Sequence, residues 1–156
     1  MEITAFSHAQ RYVGQVFERD GDLDHPLIQW WLSLCGFGLD AHDEIPWCSA
    51  FVNGIAWDLR LPRSKSAAAR SWLTIGRAVP LDRARAAYDV VVLERGSGIQ
   101  PGADVIEAPG HAGFYAGSEQ GGQRVLVLAG NHATGVSVAP FPATRVLGVR
   151  RLWEGS

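Results

Sequence analysis

Between residues 5 and 17, the apolar positions Phe6, Ala9, Tyr12, Val13 and Val16 recur at a helical period, which predicts a first helix. Asp20-Gly21-Asp22 reads as a turn. Asp24 as N-cap and Pro26 in the first turn then open a second helix carrying Trp30 and Trp31, with Gly36 as its stop. A third helix is expected from the Pro46 region to about Leu61, ended by Pro62. Pro46 suits its first turn, Asp43 and Glu44 suit its cap, and Ala50, Phe51, Val52, Ile55 and Ala56 form its apolar face. A short helix over residues 67–75 is opened by Ser66 and closed by Gly76.

Beyond residue 76 the period changes. Residues 90–93 are an apolar β-branched run bounded by Gly96-Ser97-Gly98, and residues 110–117 alternate glycine with small and aromatic residues; both predict strands. The glycine-rich residues 118–123 read as a hairpin loop joining residues 110–117 to a partner strand at 124–128, and residues 136–138 and 146–151 complete an antiparallel sheet. Helices first and strands afterwards predict an α+β fold with the sheet in the C-terminal half. No internal repeat, linker or low-complexity tract interrupts the pattern, so residues 1–156 are expected to form one domain.

Composition narrows the possibilities. The net charge of −2, with no basic stripe, argues against a nucleic-acid partner. No apolar run is long enough to span a bilayer, and the opening residues carry neither a basic segment nor an apolar core, so neither membrane insertion nor a secretory signal is expected. The two cysteines, Cys35 and Cys48, do not make a disulfide framework. Cys35 ends an apolar run and reads as core. Six tryptophans are many for this length, and most are expected in the core, with a few available to line a groove.

Cys48 falls in the first turn of the expected third helix, where the helix dipole and unpaired N–H groups favour a thiolate. It is either a nucleophile or a small buried hydrophobe. A cysteine nucleophile needs a base, and the base needs a third group to orient it. His111 heads the strand after Pro109-Gly110, and Asn131 closes the following strand, so the hairpin brings both to one end. Each also has a plain reading, as a strand-edge histidine bonded to backbone and as a turn asparagine. No close ligand pair such as His-x-x-x-His or Cys-x-x-Cys occurs, so a metal hydrolase built on His42, Cys48, His111 and His132 is disfavoured, and no metal or cofactor is expected.

The segments Pro46-Trp47-Cys48-Ser49-Ala50-Phe51-Val52-Asn53, Ala69-Arg70-Ser71-Trp72-Leu73, Gly110-His111-Ala112-Gly113-Phe114-Tyr115-Ala116-Gly117, Leu128-Ala129-Gly130-Asn131-His132 and Arg145-Val146-Leu147-Gly148-Val149-Arg150-Arg151 resemble, in that order, the blocks of a small bacterial and phage family. That family belongs to the papain-like superfamily of NlpC-type and CHAP cell-wall hydrolases, and the resemblance covers the chain from about Pro26. It implies a papain-like fold and a peptidoglycan substrate, cut at an amide bond of the stem peptide or at its junction with the sugar. By position it implies Cys48 as nucleophile, His111 as base and Asn131 as the polar third residue. The family pattern has Gly-Gly-Asn-Gln where this chain has Ala129-Gly130-Asn131-His132; the Asn is kept, and His132 is a departure at the pocket. Tyr88-Asp89 likewise stands where the pattern begins Gly-Asp.

On this reading Cys48 and His111 would form a thiolate–imidazolium pair, with the Cys48 N–H in an oxyanion hole. Trp47 and Trp72 are candidates to wall the substrate groove or to pack the core, Glu44 to bind a substrate amine or to cap the helix, and His132 to touch substrate. Asp20, Asp22 and Asp24 are spaced suggestively for calcium but lie far from Cys48 in sequence. The expected product is a monomeric phage or prophage endolysin, a delivered lytic effector or a tail-associated lysin, made without a signal peptide and acting on the wall in the periplasm. A holin or immunity protein as partner is left open. The alternative is a catalytically idle wall-binding or phage structural module on the same scaffold.

Overall fold

A computed structural model describes residues 2–19 and 24–155, and its architecture is α+β. Helix α1 (Ala5–Ala9) opens on a capping box, with Thr4 Oγ1 accepting from Ser7 N–H at 3.0 Å. It tightens into a 3-10 turn at Gln10–Tyr12 and ends well short of the expected residue 17. Gly14 then adopts φ 73°, which redirects the chain so that Phe17 runs extended and bridges Gly135 at the sheet edge. The turn at Asp20-Gly21-Asp22 lies outside the described residues.

Helix α2 (Pro26–Ser33) keeps Pro26 at its start, but its cap is His25, whose Nδ1 accepts from Leu27 N–H at 3.1 Å. Asp24 instead accepts from Asp43 N–H at 2.9 Å. Helix α3 (Cys48–Asp58) begins two residues later than Pro46 and stops before Leu61; Arg60, at φ 58°, turns the chain out. Asp43, expected as a cap, is buried and accepts the N–H groups of Arg19 and His25 at 2.9 and 2.8 Å. Glu44 is exposed in the turn before the helix. Every residue of α3 from Cys48 to Ala56 is buried. Gly54 explains how closely α2 approaches, since a side chain there would run into the Trp31 indole. The segment at residues 69–74 is a 3-10 helix rather than an α-helix.

Six strands form one antiparallel sheet in the order β1-β6-β2-β3-β4-β5: β1 (Arg77–Val79), β2 (Asp89–Glu94), β3 (Gly110–Glu119), β4 (Arg124–His132), β5 (Gly135–Pro142) and β6 (Val146–Arg151). The edge strand β1 carries too short an apolar signal to stand out in the sequence, and its pairing with β6 creates it. Strand alternation splits the sheet into two faces. Val90, Val92, Ala112, Phe114 and Leu128 pack with the helices, whereas Val91, Leu93, Val125, Val127 and Ala129 pack on the opposite face. Asp89 and Arg151 join β2 to β6 through a buried two-pronged ion pair at 2.7 and 2.8 Å.

Aromatic packing seats α3 on β3 and β4. Trp31 stacks on Trp47 with ring centroids 5.9 Å apart and meets Phe51 edge-on at 5.0 Å, and Phe51 in turn meets Phe114 at 6.3 Å. No helix among the described residues is long and apolar enough to cross a membrane.

Candidate active site

Cys48 is the first residue of α3. The first intrahelical bond runs from Phe51 N–H to Trp47 O at 2.9 Å, so the N–H groups ahead of Phe51 are the unpaired donors of a helix start. The β3–β4 ladder reaches only as far as Phe114↔Leu128, which leaves Ala112 beyond it. The Ala112 N–H acts on the Cys48 thiol, so the thiol lies near the backbone immediately after His111. Burial pushes the Cys48 thiol up, outweighing the Ala112 N–H, the charge of Arg95 and the N–H groups of Ser49 and Cys48, which all pull it down. Cys48 is only 3 % exposed.

His111 pairs across the sheet with Leu93 and is 6 % exposed. Its Nε2 lies 2.6 Å from Nε2 of His132, and His132 Nδ1 lies 3.0 Å from the Ser137 carbonyl oxygen. That carbonyl can only accept, which assigns the tautomers along the chain. His132 carries its proton on Nδ1, so its Nε2 accepts, His111 donates from Nε2–H, and His111 Nδ1 is left with a free lone pair. Phe141 flanks both imidazoles with ring centroids 5.5 Å away. Burial lowers the His111 pKa to about 3, with the charges of His132 and Arg95 adding to the effect. Burial lowers His132 as well, partly offset by its bond to Ser137. Cys48 and His111 are thus each pushed toward the neutral form, the opposite of the thiolate and imidazolium expected from sequence.

The histidines open onto a cleft of about 490 Å³ that also receives Arg95, Asn131, Phe141 and Arg145. Cys48 does not line it. Asn131 shares the cleft but makes no hydrogen bond to His111, whose side-chain partner is His132. The cause is local. Asn131 sits at φ 60° within a register shift between Ala129 and His132, and that irregularity presents the next side chain to His111.

Trp47 and Trp72 do not wall a groove. Both are fully buried, Trp47 donating to Glu18 Oε1 at 2.8 Å and Trp72 to Ser49 Oγ at 2.9 Å. Ser49 Oγ in turn donates to Ser66 O at 2.6 Å, and Asn53 Oδ1 accepts from Lys65 N–H at 2.9 Å. These polar positions of α3 therefore hold the segment behind the helix. Cys35 is half-buried, with its thiol pushed up to about 11 by burial. Among the described residues, no three His, Cys, Asp or Glu side chains come together to hold a metal ion.

Sequence reasoning gave no role to Arg70. Its fully buried guanidinium donates to the carbonyls of Pro101, Gly102 and Pro109 at 3.1, 2.7 and 3.0 Å, anchoring the loop that delivers Gly110 and His111. Gly110 leaves room for it, since a Cβ there would lie 3.0 Å from the Arg70 side chain. A buried arginine facing three carbonyls has no signature in a linear pattern. Comparison with family models, curated proteins and solved structures finds no match for this chain.

Proposed function

We propose that the protein is a papain-like thiol hydrolase that cuts an amide bond of the peptidoglycan stem peptide, as endopeptidase or amidase, after release or delivery to the cell wall. One observation carries the reading: the hydrogen-bonded chain from His111 through His132 to Ser137, which leaves His111 Nδ1 unprotonated one residue before Ala112, whose N–H acts on the Cys48 thiol. Cys48 is the nucleophile, His111 the base, and His132 the orienting group. An acceptor on His111 Nε2–H is what an asparagine oxygen would supply at that place, and the His132 imidazole supplies it here.

In the proposed reaction the thiol proton passes to His111 Nδ1 as the sulfur attacks the scissile carbonyl. The resulting oxyanion is met by the Cys48 N–H at the start of α3. His111 returns the proton to the departing amine, which leaves a thioester on Cys48. Water then hydrolyses the thioester with His111 again as base, releasing the carboxylic acid and restoring the thiol. Hydrogen bonds between nucleophile and base are often long in a free enzyme and tighten when substrate binds.

The test is mass spectrometry of purified Gram-negative peptidoglycan after incubation with wild type and with Cys48→Ala. New fragments from wild type alone support the hydrolase; split stems mean endopeptidase, and separated sugar and peptide mean amidase. The burial and raised pKa of Cys48 favour a second reading, a wall-binding module without turnover. Binding of wall fragments with no product from wild type, on several wall types, would select it.

A further inference from the structure

Among the described residues, the cleft beside the histidines contains one cation, Arg95, without a hydrogen bond or ion pair. Arg95 follows directly on Glu94, the last residue of β2, whose register partner is Gly110 at the start of β3. It therefore stands next to the His111–Leu93 pair, at the mouth of the cleft. Its side chain is exposed and, among the described residues, has no hydrogen bond or ion pair. The other arginine of the cleft, Arg145, is committed to the Gly96 carbonyl at 2.6 Å and so pins the turn after Arg95. Glu94, the preceding residue, also lines the cleft. The floor is aromatic and imidazole, supplied by Phe141 and the histidine pair.

We infer that Arg95 is a specificity-determining residue that binds a free carboxylate of the substrate, adjacent to the scissile amide. The inference rests on the hydrolase reading and names its substrate class: stem peptides carrying an unamidated carboxylate next to the bond that is cut. A guanidinium offers a carboxylate two parallel N–H donors, a fit that a carboxamide cannot reproduce. The same contact bears on the chemistry. The Arg95 charge is one of the influences that holds the His111 proton affinity down. A carboxylate bound to Arg95 offsets that charge, which strengthens the base while removing one of the influences that pull the Cys48 thiol down. Arg95 thereby acts on turnover as well as on binding.

The experiment uses two synthetic stem peptides that differ only in a free carboxylate or a carboxamide beside the scissile bond. Wild type is expected to prefer the carboxylate by roughly 10-fold or more in kcat/KM, a size typical of a charge-assisted contact. Arg95→Ala, an exposed change, is expected to abolish the preference, with a larger loss of kcat/KM on the carboxylate peptide than on the carboxamide. Arg95→Lys should restore part of it. Both peptides are also titrated onto Cys48→Ala, which reads the preference without cleavage. Equal binding and equal cleavage of the two peptides, or the same loss on both in Arg95→Ala, would overturn the assignment. Preferential binding of the carboxylate with no cleavage by wild type would sustain Arg95 and sink the hydrolase reading instead.

Discussion

The buried histidine gives the molecule a pH dependence whose sign and size follow from one residue. The His111 pKa falls from 6.5 to about 3 in the folded protein. A depressed histidine leaves the unfolded chain binding the extra proton throughout that interval. Stability is therefore full above about pH 6.5 and is lost as the pH falls toward 3. At about 1.4 kcal/mol per unit, the whole interval is worth roughly 4–5 kcal/mol, and by about pH 4.5 roughly 2–3 kcal/mol has gone. His132 shifts in the same direction and adds to it. The assay is urea unfolding of wild type and His111→Gln at about pH 7.5 and 4.5, because carboxylates common to both proteins cancel in the difference. Wild type should lose roughly 2–3 kcal/mol more than the variant over that range. Parallel losses in the two proteins, or a His111 imidazole that titrates near 6.5 by NMR, would refute the buried neutral tautomer chain.

Other consequences can be measured separately. His132→Ala should reduce kcat on a cleaved stem peptide by about 10²-fold or more, with His132→Asn recovering part of it, whereas Asn131→Gly, which suits the φ of 60°, should leave kcat within a few fold; the reverse ranking by steady-state kinetics would return the third role to Asn131. Arg70→Leu leaves three loop carbonyls without their donor and should cost roughly 2–4 kcal/mol in chemical denaturation. At temperatures where the variant stays folded, its kcat should fall with little change in KM. Gly54→Ala drives a methyl into the Trp31 indole at the α2–α3 crossing and should lower Tm by several degrees, together with a change in tryptophan fluorescence.

The chain's periodicity alone determined the broad plan. A helical first half and a stranded second half are local patterns, as are the antiparallel hairpin at residues 110–132 and the placing of Cys48 at a helix start. Each depends on neighbours a few residues apart, and each is found in the structure. Helix ends were less legible. Asp43 and Glu44 carry capping chemistry, yet Asp43 is drawn away to the backbone of Arg19 and His25, contacts too distant in sequence for a local rule to anticipate.

Only the tertiary structure decided which residues face one another. Trp47 and Trp72 occupy positions suited to a groove wall, but the stack on Trp31 and the bond to Ser49 place them in the core. Whether Asn131 or His132 meets His111 is a question of parity. A strand's side chains alternate faces, so one irregular step at Ala129–His132 exchanges the two candidates, and that step exists only because β4 pairs with β5. The low proton affinity of His111 has the same origin. An isolated imidazole titrates near neutrality, and it is burial against His132 and Phe141, brought from two other strands, that moves it.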